Sequence, residues 1–335
     1  MATLRDVARL AGVSLATASR VVNGYKNVRE STRQQVLKVM RDLNYSYEYR
    51  DHARKNITIG VLVSKDTGNN LFQHPTVHSV IMGVIQCCND KKIMNTMLLI
   101  DVENPQCGKQ LINKPLNAYI LIGTSKKEED LLIPLLQGLR VPFVVVNRWF
   151  EYRHISYVNV DDYNTIREAT LRMIDQGHRT LAFANGRKGM RNSIERLEGF
   201  RAACKQKDIA INDEWIFHGN YDEENGYQVA ETIARLAERP TLIMTSSDII
   251  AIGIIKGLKT HGIKVPDEVS VVGFGDIPTA VFFQPSLTTI RMPSVELGIE
   301  AVEVVMQMIN KPIIHHIKFA MDCEFIERES TRRIE

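Results

Sequence analysis

Apolar side chains at Leu4, Val7, Ala8 and Ala11 repeat at the i, i+3, i+4, i+7 spacing of one helix face. Gly12, able to take the left-handed conformation that closes a helix, ends the run. Val13 follows as an apolar plug, and Ser14 is a good N-cap for a second helix over about Leu15 to Asn23. That helix buries Ala18, Val21 and Val22 and leaves Leu15, Ala16, Thr17 and Arg20 facing outward. A third helix begins near Ser31 or Thr32, with Val36, Val39, Met40 and Leu43 as its stripe. Arg33, Lys38 and Arg41 lie off that stripe, either against phosphates or simply solvated. Two short helices across a tight turn, closed by a third, predict a helix-turn-helix whose second helix reads the major groove. The plainer alternative is a pair of ordinary amphipathic helices.

From Ile57 the period changes. Short continuous apolar runs at Ile57 to Val63, Asn95 to Asp101, Ala118 to Gly123 and Pro142 to Asn147 alternate with helical patterns, the first from His74 to Asp90. A second set of strands falls near Thr180 to Asn185, Trp215 to Gly219, Thr241 to Ser246 and Ser270 to Gly273. Its helices run over about Tyr163 to Gln176, Ser193 to Gln206, Asn225 to Ala237 and Ile249 to His261. A last strand is predicted from Ile317 to Ile326. Apolar strands alternating with amphipathic helices specify parallel sheets covered on both faces. Two such sets imply two lobes, with a ligand in the crevice outside the strand C-terminal ends.

Composition and charge sharpen this division. At 335 residues the chain suits two or three domains. It has no apolar run of roughly 18 residues and no charged-then-apolar leader, so a cytoplasmic protein without a membrane span is expected. Five cysteines, Cys87, Cys88, Cys107, Cys204 and Cys323, without a C-x-x-C pair point to free thiols and away from a zinc site. Residues 1–55 hold eleven Lys and Arg against five Asp and Glu, while the remainder holds 31 against 34. A basic module on a mildly acidic body puts the phosphate-binding surface in the first part; a few surplus lysines on a small domain are the alternative.

The run Val7-Ala8-x-x-Ala11-Gly12-Val13-Ser14-x-x-Thr17-x-Ser19-Arg20-Val21-x-Asn23 resembles the DNA-binding module of the LacI/GalR family of bacterial transcription regulators, with Ala18 where the family usually has Val. Further landmarks extend the resemblance over nearly the whole chain. They are Asn147-Arg148, Val160-Asp161, Gly177-His178-Arg179, Arg196-Leu197-Glu198-Gly199-Phe200, Ser247-Asp248 with Ala251 and Gly253, Pro266, Ser270 to Phe274 and Leu287 to Ile290. The resemblance implies an N-terminal all-α helix-turn-helix domain plus a two-lobed α/β effector domain similar to periplasmic sugar-binding proteins. The implied division is a DNA-binding domain at 1–46, a hinge at 47–56 and an effector and dimerisation domain at 57–335. Within the last, one subdomain takes about 57–160 and 286–311 and the other about 161–285 and 312–330, with crossings near Asp161, near Pro285 and after about Ile309. The hinge departs from the family. Tyr47-Glu48 stands where Pro-Asn is usual, and Ala53-Arg54 lacks the following leucine that in relatives wedges the minor groove.

Candidate DNA contacts are Leu4, Ser14, Leu15, Ala16, Thr17, Ser19, Arg20, Asn23 and Tyr45. Leu15 and Ala16 offer only apolar contact, for instance to a thymine methyl, whereas Arg20 can bind guanine bidentately. Candidate effector contacts are Phe72, Asn147, Arg148, Arg196, Tyr221, Ser247 and Asp276. Sugars call for bidentate planar donors and an aromatic face. Arg196 matches an arginine that contacts the effector in the family; a surface ion pair is its alternative role. Arg148 and Asn147 end a predicted strand, and Tyr221 falls where a stacking aromatic is common. Phe72 follows Asn70-Leu71 as in the family's Asn-Pro-Phe, with core packing as the alternative. Ser247 replaces the usual Asn of S-N-D, and Gly275 replaces the first acid of G-F-D-D, leaving Asp276 either to compensate or to cap a turn.

The function expected is an allosteric repressor of carbohydrate-utilisation genes, bound to a near-palindromic operator and controlled by a small sugar. Two reading heads on a near-palindrome require two-fold pairing. No leucine heptad follows the last strand, so a dimer is expected. No cofactor or metal is called for. A nucleotide-type corepressor or a phosphorylated partner protein is a second way to control the same fold. A sugar-binding transport component is disfavoured by the helix-turn-helix, and an enzyme by the lack of a P-loop, G-x-S-x-G, G-x-G-x-x-G or zinc spacing.

Overall fold

In a computed structural model the chain separates into two compact units, Met1–Ile57 and Thr58–Glu335. The structure describes residues 4–22, 28–43, 57–65, 67, 74–101, 103–104, 107–113, 115–147, 155–311 and 316–335, without the side chains at 4, 16, 19, 20, 22 and 41.

In the first unit, α1 (Leu4–Leu10), α2 (Leu15–Val22) and α3 (Glu30–Asp42) enclose Val7, Ala11, Val21 and Val36, with Val13, Val28, Val39, Met40 and Leu43 packed around them. Gly12 sits at φ +59°, and Val13 N–H donates to Ala8 O at 3.0 Å, so the left-handed turn satisfies a carbonyl left free at the end of α1. Ser14 Oγ then accepts from Thr17 N–H at 3.0 Å, which fixes where α2 begins. Ala18 is completely buried beneath α2.

The second unit has two lobes. Lobe one is built on β1 (Thr58–Ser64), α4 (Pro75–Asp90), β2 (Met94–Ile100), α5 (Cys107–Asn113), β3 (Ala118–Ile122), α6 (Lys126–Leu139), β4 (Phe143–Val146) and β5 (Ser156–Val160). Lobe two follows with α7 (Asp162–Asp175), β6 (Leu181–Asn185), α8 (Arg191–Gln206), β7 (Ile216–His218), α9 (Glu223–Ala234), β8 (Leu242–Thr245), α10 (Asp248–Thr260), β9 (Ser270–Gly275), α11 (Thr279–Phe282) and β10 (Thr288–Arg291). The chain then returns through α12 (Ser294–Asn310) and β11 (Lys318–Met321) and ends its sheet pairing with β12 (Glu324–Ile326). The sheets run β11-β5-β4-β3-β1-β2 and β12-β10-β9-β8-β6-β7. Every pairing is parallel except β12 against β10. The central strands β3, β4, β6 and β8 are buried on both faces, as their unbroken apolar runs require.

Two of the three crossings differ from expectation. The first falls at Asp161, but the second comes after Arg291 rather than near Pro285, because Thr288–Arg291 continues lobe two's sheet beside β9. The third lies between Met321 and Glu324 rather than after Ile309, and the stretch read as one strand over Ile317 to Ile326 is two strands in different sheets. An alternating pattern reports extended backbone but not which sheet receives it. The closing residues of the chain are also held in lobe two. His178 donates from Nε2 to Arg332 O at 3.1 Å, and Ile334 N–H donates to Gln176 O at 2.8 Å. Gly177, at φ +104°, leaves the room Ile334 O occupies, since a Cβ there would lie 2.2 Å from it. The Gly177-His178-Arg179 landmark thus docks the C-terminal segment.

The returning helix α12 meets α4 at backbone contact. A Cβ on Gly83 would lie 2.0 Å from Val295 O, and one on Gly298 would lie 2.1 Å from Val80 O. Gly83→Ala is therefore expected to lower stability by about 1–3 kcal/mol in urea denaturation, as overpacking does elsewhere. Gly138→Ala, at a helical position with open space around its Cβ, is expected to leave stability equal or slightly raised.

Candidate functional site

The first unit presents the exposed side of α2. Leu15 is 45 % exposed although apolar, and Ser14 Oγ lies 2.8 Å from Thr17 Oγ1, so these hydroxyls hold the start of the helix. Leu4, Ala16, Ser19 and Arg20 have described backbone only. Asn23, Tyr45 and the hinge at 47–56 lie outside the described residues.

In the second unit the strand C-terminal ends carry a polar cluster centred on Arg196, which is not on the surface. It projects from α8 and is 4 % exposed. Its Nε donates to Asp162 Oδ1 and its Nη1 to Ser246 O, both at 2.7 Å, while its guanidinium carbon stands 3.7 Å from the Phe274 ring centre. One side chain thereby joins the first turn of α7, the end of β8 and the end of β9. Burial pushes the Asp162 carboxyl up, against the pull of Arg196. The cluster is polar beyond its own needs. Asp162 Oδ2 and Ser246 Oγ are buried with no hydrogen-bond partner among the described residues; the same holds for Asn147 Oδ1, just past β4 in lobe one. Unpaired buried oxygens are costly, and each is closed to solvent in this arrangement, so a ligand would pair with it only after a rearrangement that exposes it. Asn147 follows β4 at φ +57°, with its backbone N–H on Val158 O.

Tyr221 approaches from the loop after β7. Its ring occupies the place a Cβ on Gly186 would take, and its hydroxyl lies 2.7 Å from Ser193 Oγ on α8. It is close enough to bear on the Arg196 charge, so the structure brings Tyr221, Arg196 and the Ser246 edge together. Ser247 has a different visible job. It caps α10, its Oγ accepting from Ile249 N–H at 3.1 Å. Asp276 neither caps a turn nor keeps a free oxygen: Arg291 Nε and Arg328 Nη2 donate to its two oxygens at 2.8 and 2.7 Å. Phe72 and Arg148 lie outside the described residues.

Asp162, Ser246 and Phe274 were not marked as site residues by the sequence, and neither was Asp248. Asp248 is buried, accepts from Ile277 N–H at 2.8 Å and from the Thr289 hydroxyl, and is pushed up to about 6 by burial. The signal available was a polar residue just past an apolar strand. Such positions are common, so it does not single out these four.

Residues 3–47 match the family model of bacterial regulatory proteins, lacI family, and residues 170–331 match that of a periplasmic binding protein-like domain. A transcriptional repressor PurR from Photobacterium profundum is 31 % identical over 340 residues, spanning 99 % of both chains. The chain belongs to the LacI family of bacterial transcription regulators. The ribose operon repressor of Haemophilus influenzae is 30 % identical over 98 % of both chains. The probable repressor ExuR of Bacillus subtilis is 29 % identical over 100 % of this chain and 99 % of its own. Among solved structures, the regulator CelR in complex with cellobiose aligns with TM-score 0.75 at 25 % identity, over 98 % of this chain and 100 % of that one. The lac repressor dimer bound to operator shares the fold, with TM-score 0.72 at 19 % identity over 99 % of both chains. Among the described residues no helix is long and apolar enough to cross a membrane.

Two outcomes follow for LacI-family residues of this lobe. Asp162→Ala strands the Arg196 charge in a buried place, and urea denaturation is expected to show a loss of about 3–5 kcal/mol. Asp248 binds its proton more tightly folded than unfolded. Its contribution to stability is therefore complete below about pH 4 and is lost as pH rises through about 6. Asp248→Asn is expected to remove that loss, about 3 kcal/mol in full, from denaturation curves compared between pH 4 and 8.

Proposed function

We propose that this protein is a cytoplasmic transcription repressor and not an enzyme. It binds a near-palindromic operator as a homodimer, and a sugar in the second unit's cleft sets its operator affinity. The observation that carries this reading is one chain holding both a capped, outward-facing α2 on a basic module and a cleft cluster with unpaired buried oxygens around Arg196. Relatives support it: a ribose operon repressor and a cellobiose-bound regulator each align over nearly the whole chain.

In this reading Leu15, Ala16 and Arg20 reach base edges. Leu4, Ser14, Thr17, Ser19, Asn23 and Tyr45 fix the register on the backbone, where most protein–DNA hydrogen bonds fall. Residues 47–56 are the hinge. Arg196, Asn147, Arg148 and Tyr221 hold the effector, with Phe72 and Ser247 at its border. Asp276 acts behind the site, through Arg291 and Arg328. Operator and effector then share one coupling free energy: an effector that weakens operator binding must itself bind the DNA-bound form more weakly by the same factor.

Fluorescence anisotropy of the full chain on DNA from its own upstream region, at fixed salt, tests both halves. Specific binding is expected, changed by one of a panel of mono- and disaccharides. Arg20→Ala is expected to cost about 1–3 kcal/mol at one operator position; an equal loss on every sequence would make Arg20 a phosphate contact. Specific binding that no sugar alters would transfer control to a nucleotide or a phosphorylated protein.

A further inference from the structure

Arg291 is the last residue of β10, immediately before the second crossing, and Glu324 is the first of β12, immediately after the third. The sheet sets them side by side: Arg291 is in register with Glu324 on one flank and with Gly275, at the end of β9, on the other. Its side chain repeats what the backbone does. Nε donates to Asp276 Oδ2 at 2.8 Å, and Nη1 donates to Glu324 Oε2 at 2.9 Å. One guanidinium therefore ties the loop after β9 to the residues that open the second crossing and close the third.

That loop is pinned from two further sides. Ile277 N–H donates to Asp248 Oδ2 at 2.8 Å, and the other Asp276 oxygen accepts from Arg328 Nη2 at 2.7 Å. It also meets lobe one, since a Cβ on Gly275 would lie 3.7 Å from Thr76 Oγ1 in the first turn of α4. Movement of α4 past lobe two thus bears on a loop whose next residue, Asp276, holds Arg291. Elsewhere the crossings have room to move: Asp161 of the first and Asp322 and Cys323 of the third line a cavity of about 280 Å³. Arg291 is half exposed and Glu324 more so. Such pairs add little to global stability, but two together can bias a conformational equilibrium about three- to tenfold.

Resting on the allosteric reading above and adding its hinge, we propose that Arg291 is the positioning residue of the crossings. It fixes the second and third crossings against Asp276 and so sets the lobe arrangement from which an effector has to move the protein. Asp276 passes contact at the loop on to Arg291, and Glu324 carries it to the third crossing.

Hydrogen–deuterium exchange of the full chain, with urea denaturation beside it, tests this without an effector. Arg291→Gln is expected to speed exchange several-fold in peptides spanning 288–294 and 319–326, while the urea midpoint and the exchange of β3 and β8 stay as in the wild type. Arg291→Lys, able to reach one carboxylate at a time, is expected to restore part of the protection. Glu324→Gln is expected to loosen 319–326, and adding it to Arg291→Gln to change nothing further, because the two act through one contact. In anisotropy on DNA from the chain's own upstream region, Arg291→Gln is expected to shift affinity about three- to tenfold, although Arg291 is not in the DNA-reading unit. Unchanged exchange at the crossings overturns the proposal. Faster exchange throughout with a lower urea midpoint also overturns it, as does local release that leaves DNA affinity unaltered. A wild-type chain that binds none of this DNA brings down the DNA-binding reading, while the exchange measurements still decide whether Arg291 holds the crossings.

Discussion

The buried pair between Arg196 and Asp162 is the contact on which the second unit is arranged. Asp162 is the first residue of α7, immediately after the chain first crosses between lobes, and Arg196 lies on the next helix. The guanidinium also holds the Ser246 carbonyl and covers Phe274. Desolvating two charges consumes much of what their attraction returns. The pair's value therefore lies in geometry: it holds the ends of β8 and β9 and the start of α7 in one place. It also leaves Asp162 with one oxygen unsatisfied.

The crossings extend this arrangement. Lobe two keeps β10, and α12 begins only after Met292-Pro293. The helix then packs against α4 through Gly83 and Gly298 at backbone distance, so it cannot shift along α4 without a clash. Lobe one is therefore stiff where α12 enters it, and lobe two is closed at its base by the C-terminal segment on His178. Two lobes joined by three short chain crossings would concentrate motion at those crossings, the hinge type of conformational change.

Legibility in the sequence followed the range of the interactions. The helix-turn-helix was readable because its determinants are local: a 3.6-residue stripe, Gly12 in the left-handed region and Ser14 capping three residues ahead. The strands were readable as apolar runs, but their sheets were not. Thr288–Arg291 and Lys318–Met321 are assigned by partners far away in the chain, and no local pattern names those partners. The site behaved likewise. Arg196 was found through its motif, yet its setting was not, because Asp162 is 34 residues away and Ser246 is 50. Asp276 read as a candidate ligand because Arg328, 52 residues on, could not be anticipated as its partner.

These features together say what an effector has to supply. A ligand shifts a conformational equilibrium only by its differential affinity for the two states. Unpaired oxygens stand at Asp162 and Ser246 in lobe two and at Asn147 in lobe one. A molecule touching one lobe alone would gain its contacts in the open and closed arrangements equally and would shift nothing. A molecule that reaches groups on both lobes gains its full interaction only when the lobes close, and that difference converts binding into a conformational bias. With couplings typically about 1–3 kcal/mol, one hydrogen bond made only on closure is of the right order to move operator affinity.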